Sequence, residues 1–359
     1  MVTYSAELIG HRDCIHFFYC YDLFMIAIVT GGAGFIGSEL VRQLLQPENS
    51  INRVVVFDNL SYAGNQNNLP LSNEHLSLEL VDIASASELE RAWKSVKALG
   101  EDSIVVYHLA AESHVDRSIL SGEIFSRTNV LGTQLMLESS SLNNVSRFLH
   151  VSTDEVYGSL NKGNADESYP LNPSSAYSAS KAGSDLAVMA HHSTHKLDTL
   201  ISRCVNNYGP LQMPEKFVPR MINRALKDEP LPIFGDGHNS REWIHVSDHA
   251  RALISLMKSG NSGEIYNIGT GYRVSNIDLA KKIIEFTSSK SDISFVVDRK
   301  GHDFRYALNS DKLINEIKWF PQVDFMNGLQ ECINQIKILK KEVSYQERVM
   351  LMEGIYANE

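Results

Sequence analysis

Tyr177 and Lys181 stand four residues apart in the run Tyr-Ser-Ala-Ser-Lys. At that spacing a phenol and an ammonium share one face of a helix. A phenol, with an ordinary pKa of about 10, is a poor base at neutral pH. A neighbouring ammonium favours the phenolate and brings it toward the working range. A second cluster, Ser152-Thr153-Asp154-Glu155-Val156-Tyr157-Gly158, follows the apolar run Arg147–Val151. It sets hydroxyls beside two adjacent carboxyls, which supplies a hydrogen-bond donor, a candidate acid and a candidate base. Carboxyls in different environments can be pushed apart in pKa, one keeping its proton while the other stays ionised. Each cluster has a plainer reading by itself: Tyr and Lys meet at this spacing in many helices, and an Asp-Glu pair can simply cap a turn.

A third segment supplies context. Thr30-Gly31-Gly32-Ala33-Gly34-Phe35-Ile36-Gly37-Ser38 follows an apolar strand pattern and opens a helix. Gly31, Gly34 and Gly37 let the turn tighten and the backbone approach a pyrophosphate at the helix N-terminus. Asp58 ends the next apolar strand, 21 residues beyond Gly37. A carboxylate there accepts hydrogen bonds from an adenosine ribose and disfavours a 2′-phosphate, so the cofactor expected is NAD rather than NADP. Asp82-Ile83 follows the third strand and is placed either to read the adenine edge or to cap a helix.

The elements that must position these groups alternate. Strands are expected at Ile26–Val29, Arg53–Phe57, Ser77–Val81, Ile104–His108, Arg147–Val151 and Thr199–Ser202, and helices at Ser38–Leu45, Ala86–Leu99, Phe125–Ser140 and Ser178–His195. Strand alternating with helix predicts an α/β protein with a Rossmann-type, doubly wound parallel sheet. After Tyr208 the pieces shorten and Pro and Gly punctuate them, with helices expected near Lys216–Lys227, Val246–Ser259 and Ser275–Ser288. That pattern predicts a smaller mixed α/β substrate-binding domain. The division is an appendage at 1–24, an NAD-binding domain at 25–207 carrying the catalytic residues, a smaller domain at 208–335 that exchanges elements with the first, and a tail at 336–359.

Composition excludes several classes. The 359 residues are 43% hydrophobic and 21% charged, with a formal charge of −10. No basic excess exists to neutralise a nucleic-acid backbone, and no apolar run approaches the roughly 18–20 residues of a membrane span. Cys14, Cys20, Cys204 and Cys332 are too few and too scattered for a disulfide framework or a zinc site. Reduced thiols, a cytoplasmic location and no bound metal are the expectation. Residues 1–24 lack the basic start and small-residue cleavage site of a signal peptide.

The chain resembles the nucleoside-diphosphate-sugar 4,6-dehydratases of the extended short-chain dehydrogenase/reductase superfamily, from about Met25 to Trp319. The matching segments are TGGAGFIGS at 30–38, FDNLSYAGN at 57–65, HLAAESHVDRSI at 108–119 and STDEVYG at 152–158. They continue with YSASKAGSD at 177–185, NNYGPLQMPEK at 206–216, PIFGDGHNSREWIHVSDHARAL at 232–253 and RKGHDFRYAL at 299–308. Ala176 and Lys300 stand where the family usually has proline, and Arg203 and Val205 flank Cys204 in place of smaller polar residues.

The resemblance implies a redox-neutral dehydration. Tyr177 takes the proton of the sugar C4 hydroxyl as hydride leaves C4, and Lys181 orients the nicotinamide ribose and tunes Tyr177. Thr153 hydrogen-bonds the C4 oxygen. Glu155 removes the C5 proton, and a protonated Asp154 gives its proton to the departing C6 hydroxyl. Beyond the glycines and Asp58, it places Phe35, Ile36, Asn59, Leu60, Ser61 and Gly64 on the cofactor. Asp82, Ile83, Leu109, Ala110, Ala111, Ser113, Thr128 and Asn207 join them. For the substrate it implies Ser113, Thr153, Asn206, Lys216 and Phe217, then Pro232, Ile233 and Phe234. Arg241, Asn276, Arg299, His302, Asp303 and Tyr306 complete that set. Arg241 is the physically clearest phosphate contact, since a guanidinium forks onto phosphate oxygens; its alternative partner is Glu242. The substrate implied is dTDP-glucose or UDP-glucose, and the assembly a homodimer built on the long helices. A sugar-nucleotide 4-epimerase, a UDP-glucuronate decarboxylase and an NAD-holding sensor without turnover remain competing readings.

Overall fold

A computed structural model describes residues 25–100, 103–114, 117–118, 121–298 and 301–340. The N-terminal appendage, Arg299 and most of the C-terminal tail lie outside the described residues.

Seven strands form one parallel sheet in the order β10-β6-β5-β4-β1-β2-β3. They are β1 (Met25–Thr30), β2 (Arg53–Asp58), β3 (Leu76–Leu80), β4 (Ser103–His108), β5 (Arg147–Thr153), β6 (Thr199–Cys204) and β10 (Ile265–Ile268). The central strands are buried along nearly their whole length, as the continuous apolar runs require of a sheet covered on both faces. The strand order reverses between β1 and β4, and this is where an open α/β sheet leaves a crevice at its carboxyl edge.

One face carries α1 (Phe35–Leu44) and α6 (Val246–Ser259); the other carries α2 (Ala86–Lys97), α3 (Gly132–Leu142) and α4 (Ala176–His195). The helix expected from Phe125 begins instead as a single turn, Glu123–Phe125, and a π-helical stretch, Ser126–Leu131, before α3. The extra backbone in that stretch lets Asn129 turn inward, where its side chain bonds the main chain of Glu112 and the Ser180 hydroxyl. α4 starts at a capping box between Ser175 and Ser178 and stops at Lys196, in the left-handed region at φ 60°.

The smaller unit packs α5 (Phe217–Ala225), α7 (Asn276–Thr287) and α8 (Phe325–Leu339) around a separate apolar cluster. Its sheets are β11 (Arg273–Ser275), β9 (Ser240–His245) and β7 (Asn206–Tyr208), and a pair, β12 (Ile293–Val296) with β8 (Leu231–Phe234). The chain crosses between units more than once: α6 and β10 follow the smaller unit's first elements yet build the large layer. Residues 336–339, read from sequence as tail, end α8 and pack Ile336 into the smaller unit's core.

Candidate active site

The carboxyl edge of the large sheet and the smaller unit enclose a cavity of about 430 Å³. At its cofactor end, Gly31 has φ +69°, and a Cβ there would lie 2.8 Å from Ala110 N. A Cβ on Gly37 would lie 2.2 Å from the Gly31 oxygen, so no larger residue fits between turn and helix. The N-cap of α1 is Gly34 and makes no side-chain cap bond, which leaves the first amides of the helix to an anion. Asp58 accepts from Ala33 N at 3.0 Å and Leu60 N at 2.8 Å, and lines the cavity. Burial raises its pKa, against those two amides. A backbone cradle with a fixed carboxylate at the end of the next strand, β2, suits a dinucleotide with a free ribose diol. Asp82 caps no helix: it accepts from Ala84 N and pairs with Arg127 at 2.7 Å while lining the cavity, and Ser85 is the N-cap of α2.

The edges of β5 and α4 bring the reactive groups together. Thr153, Asp154, Glu155, Tyr177 and Lys181 all line the cavity. Asp154 is 3% exposed and Glu155 is half-buried. Asp154 is held well above the usual carboxyl range by burial, then by Glu155 and Glu242, with Arg241 and the Thr153 hydroxyl opposing. Thr153 Oγ1 donates to Asp154 Oδ1 at 3.2 Å, and Asp154 Oδ2 has no hydrogen-bond partner among the described residues. The two neighbours therefore differ in the way an acid and a base must.

The Tyr177/Lys181 pair departs from the simple expectation that Lys181 brings the phenol down. Burial and the charges of Glu155 and Asp154 raise the Tyr177 pKa, and the Thr153 hydroxyl lowers it. Lys181 Nζ donates to the Val151 carbonyl at 2.7 Å, and burial lowers its own pKa to about 8, with Asp185 opposing. His108 beneath it is neutral, lowered to about 3 by burial and by Lys181. Its protons are ordered by its neighbours. Thr30 Oγ1 already accepts from Leu109 N and Ala110 N, so it donates to His108 Nδ1 at 2.8 Å. Thr133 donates to Asn129 O and accepts from Nε2.

At the other end, Arg241 on β9 points its guanidinium at three main-chain carbonyls, of Ser240, Asp303 and Phe304, and lies 4.5 Å above the Tyr306 ring. Glu242, its alternative partner by sequence, bonds Arg273 at 2.9 Å and the amides of Thr270 and Gly271. Lys216 Nζ donates to Ser113 O at 2.9 Å. Ser113, Asn206, Phe217, Asp303 and Tyr306 line the same cavity. So do the cofactor candidates Phe35, Ile36, Asn59, Ser61, Gly64, Ile83, Leu109, Ala110, Ala111, Thr128 and Asn207.

Six sequence-derived candidates lie elsewhere. Leu60 serves only through its amide on Asp58. Pro232, Ile233 and Phe234 form β8, with Ile233 filling the smaller unit's core. Asn276 opens α7, its amide bonded to Asn239 O. His302 pairs with Asp298 at 2.6 Å. None of the six is among the residues that line the cavity. Conversely Tyr62, Glu112, His114, Glu215 and His249 line it without having been singled out. All five sit in segments already matched, Tyr62 within 57–65, Glu112 and His114 within 108–119, Glu215 within 206–216 and His249 within 232–253, so adjacency was a signal. Among the described residues no group of side chains could hold a metal ion, and no helix is long and apolar enough to cross a membrane.

Comparison with known proteins agrees with this geometry. A curated dTDP-glucose 4,6-dehydratase of Actinoplanes is 43% identical over 316 residues, 86% of this chain and 97% of the relative. The crystal structure of DesIV, a dTDP-glucose 4,6-dehydratase from Streptomyces venezuelae with NAD and dTDP bound, superposes with a TM-score of 0.83. It is 43% identical and covers 89% of this chain and 98% of its own. A UDP-glucose 4-epimerase from Thermotoga maritima shares the fold, with a TM-score of 0.81 at 30% identity over 88% of this chain and all of its own. The family model described as GDP-mannose 4,6 dehydratase matches residues 28–332. With the glycine turn, Asp58, the Tyr177/Lys181 pair and the Asp154/Glu155 pair in one cavity, the chain belongs to that nucleotide-sugar 4,6-dehydratase family.

Proposed function

We propose that this protein is an NAD-dependent hydro-lyase that converts dTDP-glucose to dTDP-4-keto-6-deoxyglucose and water. The observation that carries the reading is the contrast between buried, proton-retaining Asp154 and half-buried Glu155 in the cavity that holds Tyr177. An epimerase needs the phenol and the ammonium but not both carboxyls. NAD held by the glycine turn, Asp58 and the first amides of α1 would supply the hydride acceptor for C4 and the hydride donor for C6.

The chain's own residues handle the protons. Tyr177, as the phenolate that cationic Lys181 and the positive charge of the oxidised nicotinamide together would favour, receives the C4 hydroxyl proton, and Thr153, within reach of both Tyr177 and Asp154, steadies the C4 oxygen. The 4-ketone acidifies C5; Glu155 takes that proton and gives one back to C5 as hydride reaches C6. Asp154 gives its own to the C6 oxygen, so the C6–O bond breaks with water as leaving group rather than hydroxide. Lys181 remains cationic and holds the nicotinamide ribose. Arg241 and Lys216 hold the diphosphate, while Asp58 and the first amides of α1 hold the cofactor. Because hydride is returned in each cycle, NAD(H) stays bound.

The assembly we assign is a homodimer across α3 and α4, whose outer faces expose Leu142, Leu186 and Met189, and the location we assign is cytoplasmic. Incubation with dTDP-glucose and with UDP-glucose in parallel tests the chemistry. A 4-keto-6-deoxy product from dTDP-glucose supports the reading, a preference for UDP-glucose corrects the base, and C4 inversion without loss of water overturns it.

A further inference from the structure

Arg203, on β6, is 2% exposed and takes no part in the steps above. Its Nε donates to Asp185 Oδ2 at 2.8 Å, and its Nη1 to the Tyr157 hydroxyl at 2.9 Å. The proton direction at Tyr157 is settled by its neighbours. Asn267 gives its amide hydrogens to Ala165 O and Asn309 O, so its Oδ1 is an acceptor. The Tyr157 O–H donates to it at 2.9 Å, and the phenol oxygen is left to accept from Arg203. The guanidinium also stacks on the Tyr157 ring at 4.9 Å.

The two ends of this fork lead to different chemistry. Asp185 lies one helical turn beyond Lys181 on α4, and both are buried. The groups around Lys181 are Asp185 on its own helix, His150 and the Val151 carbonyl on β5, His108 on β4 and Arg203 on β6. Both histidines are driven neutral, His150 well below its ordinary range by burial first and Lys181 second. Asp185 is thus the anion that offsets the buried ammonium. Tyr157 closes the one-turn helix Asp154–Tyr157, which carries the acid and the base.

We propose that Arg203 is a positioning residue that ties both proton-handling pairs to one frame: one arm fixes Asp185 as counter-ion of Lys181, and the other fixes Tyr157 beneath the Asp154–Glu155 turn. The inference rests on the dehydratase reading, and the two arms can be cut separately. Asp185→Asn removes the anion, so the ammonium of Lys181 is lost at lower pH. The alkaline limb of C4 oxidation, followed as the first burst of NADH absorbance, moves down by on the order of one pH unit. Tyr157→Phe leaves that limb in place and slows elimination about 5–10-fold, the worth of one buried hydrogen bond, so bound NADH builds up before product. Arg203→Lys, which keeps the charge and loses the fork, shows both effects.

A merely structural network predicts something else: all steps fall together, with limb and NADH partition as in the parent, and that result overturns the proposal. Where Asp185→Asn fails to fold because Arg203 is left buried without its anion, the double variant Asp185→Asn/Arg203→Met removes both charges; loss of the Arg203 cation offsets part of the effect, so the limb moves in the same direction by less. A readout without sugar nucleotide separates the two ideas. In protein labelled at the lysine ε-carbon, the Lys181 resonance, assigned with Lys181→Met, titrates at lower pH in Asp185→Asn. An unchanged titration rejects the Arg203–Asp185 arm whatever the substrate proves to be.

Discussion

The two ends of the cleft are built from different materials. The cofactor end is made largely of backbone: a glycine turn, helix amides and one aspartate, all within residues 30–58. The end proposed for the nucleotide is made of side chains from distant segments, with Lys216 on the approach to α5, Arg241 on β9, and Asp303 and Tyr306 beyond β12. A backbone cradle tolerates almost no substitution, because its partners are main-chain atoms that cannot move aside. A side-chain end loses contacts one at a time. Between the two lies the Asp154–Glu155 turn, proposed above as acid and base, where Asp154 is the more buried carboxyl.

The largest effect should come at the cofactor end. Gly37→Ala drives a Cβ against the Gly31 carbonyl, and protein purified with this change should release no NAD(H) on denaturation while the parent does. Retention at the parental level would mean that the turn is not the pyrophosphate site. Next come Asp154→Asn and Glu155→Gln, which keep shape but not proton transfer. Each should slow elimination by roughly 10²–10⁴, with C4 oxidation preserved and enzyme-bound NADH accumulating on mixing with dTDP-glucose. Parental product rates in both would reduce the pair to a turn.

A smaller change is expected at the nucleotide end. Arg241→Met removes charge-assisted bonds worth about 1.5–3 kcal/mol, so KM should rise about 10–150-fold with kcat less affected. A fall in kcat alone would move Arg241 from the diphosphate to the reacting centre. Smallest is an effect on stability. The Asp154 carboxyl is held above its ordinary value of 3.8, so its proton is bound more tightly in the folded state. Its contribution is fully present below that value and is lost as pH rises through the folded pKa. Asp154→Asn should therefore melt at a higher temperature than the parent near pH 8 and close to it near pH 4. Equal melting at both values would remove burial as the source of the asymmetry.

The sequence by itself determined the strand–helix alternation, the sites of β1–β6, the glycine turn with Asp58, and the two candidate pairs Tyr177/Lys181 and Asp154/Glu155, because each is a local pattern. An apolar run buries itself in a parallel sheet, and four residues make a helical turn wherever they occur. Only the tertiary structure decided that β10 completes the large sheet and that β8 turns Ile233 into a core. It likewise brought Glu215 and His249 to the cavity, and it put Asp154 in the dark and Glu155 half in the light. Adjacent carboxyls are equivalent in sequence, whereas the free energy of a charge depends on the solvent and the neighbours that the completed fold leaves around it.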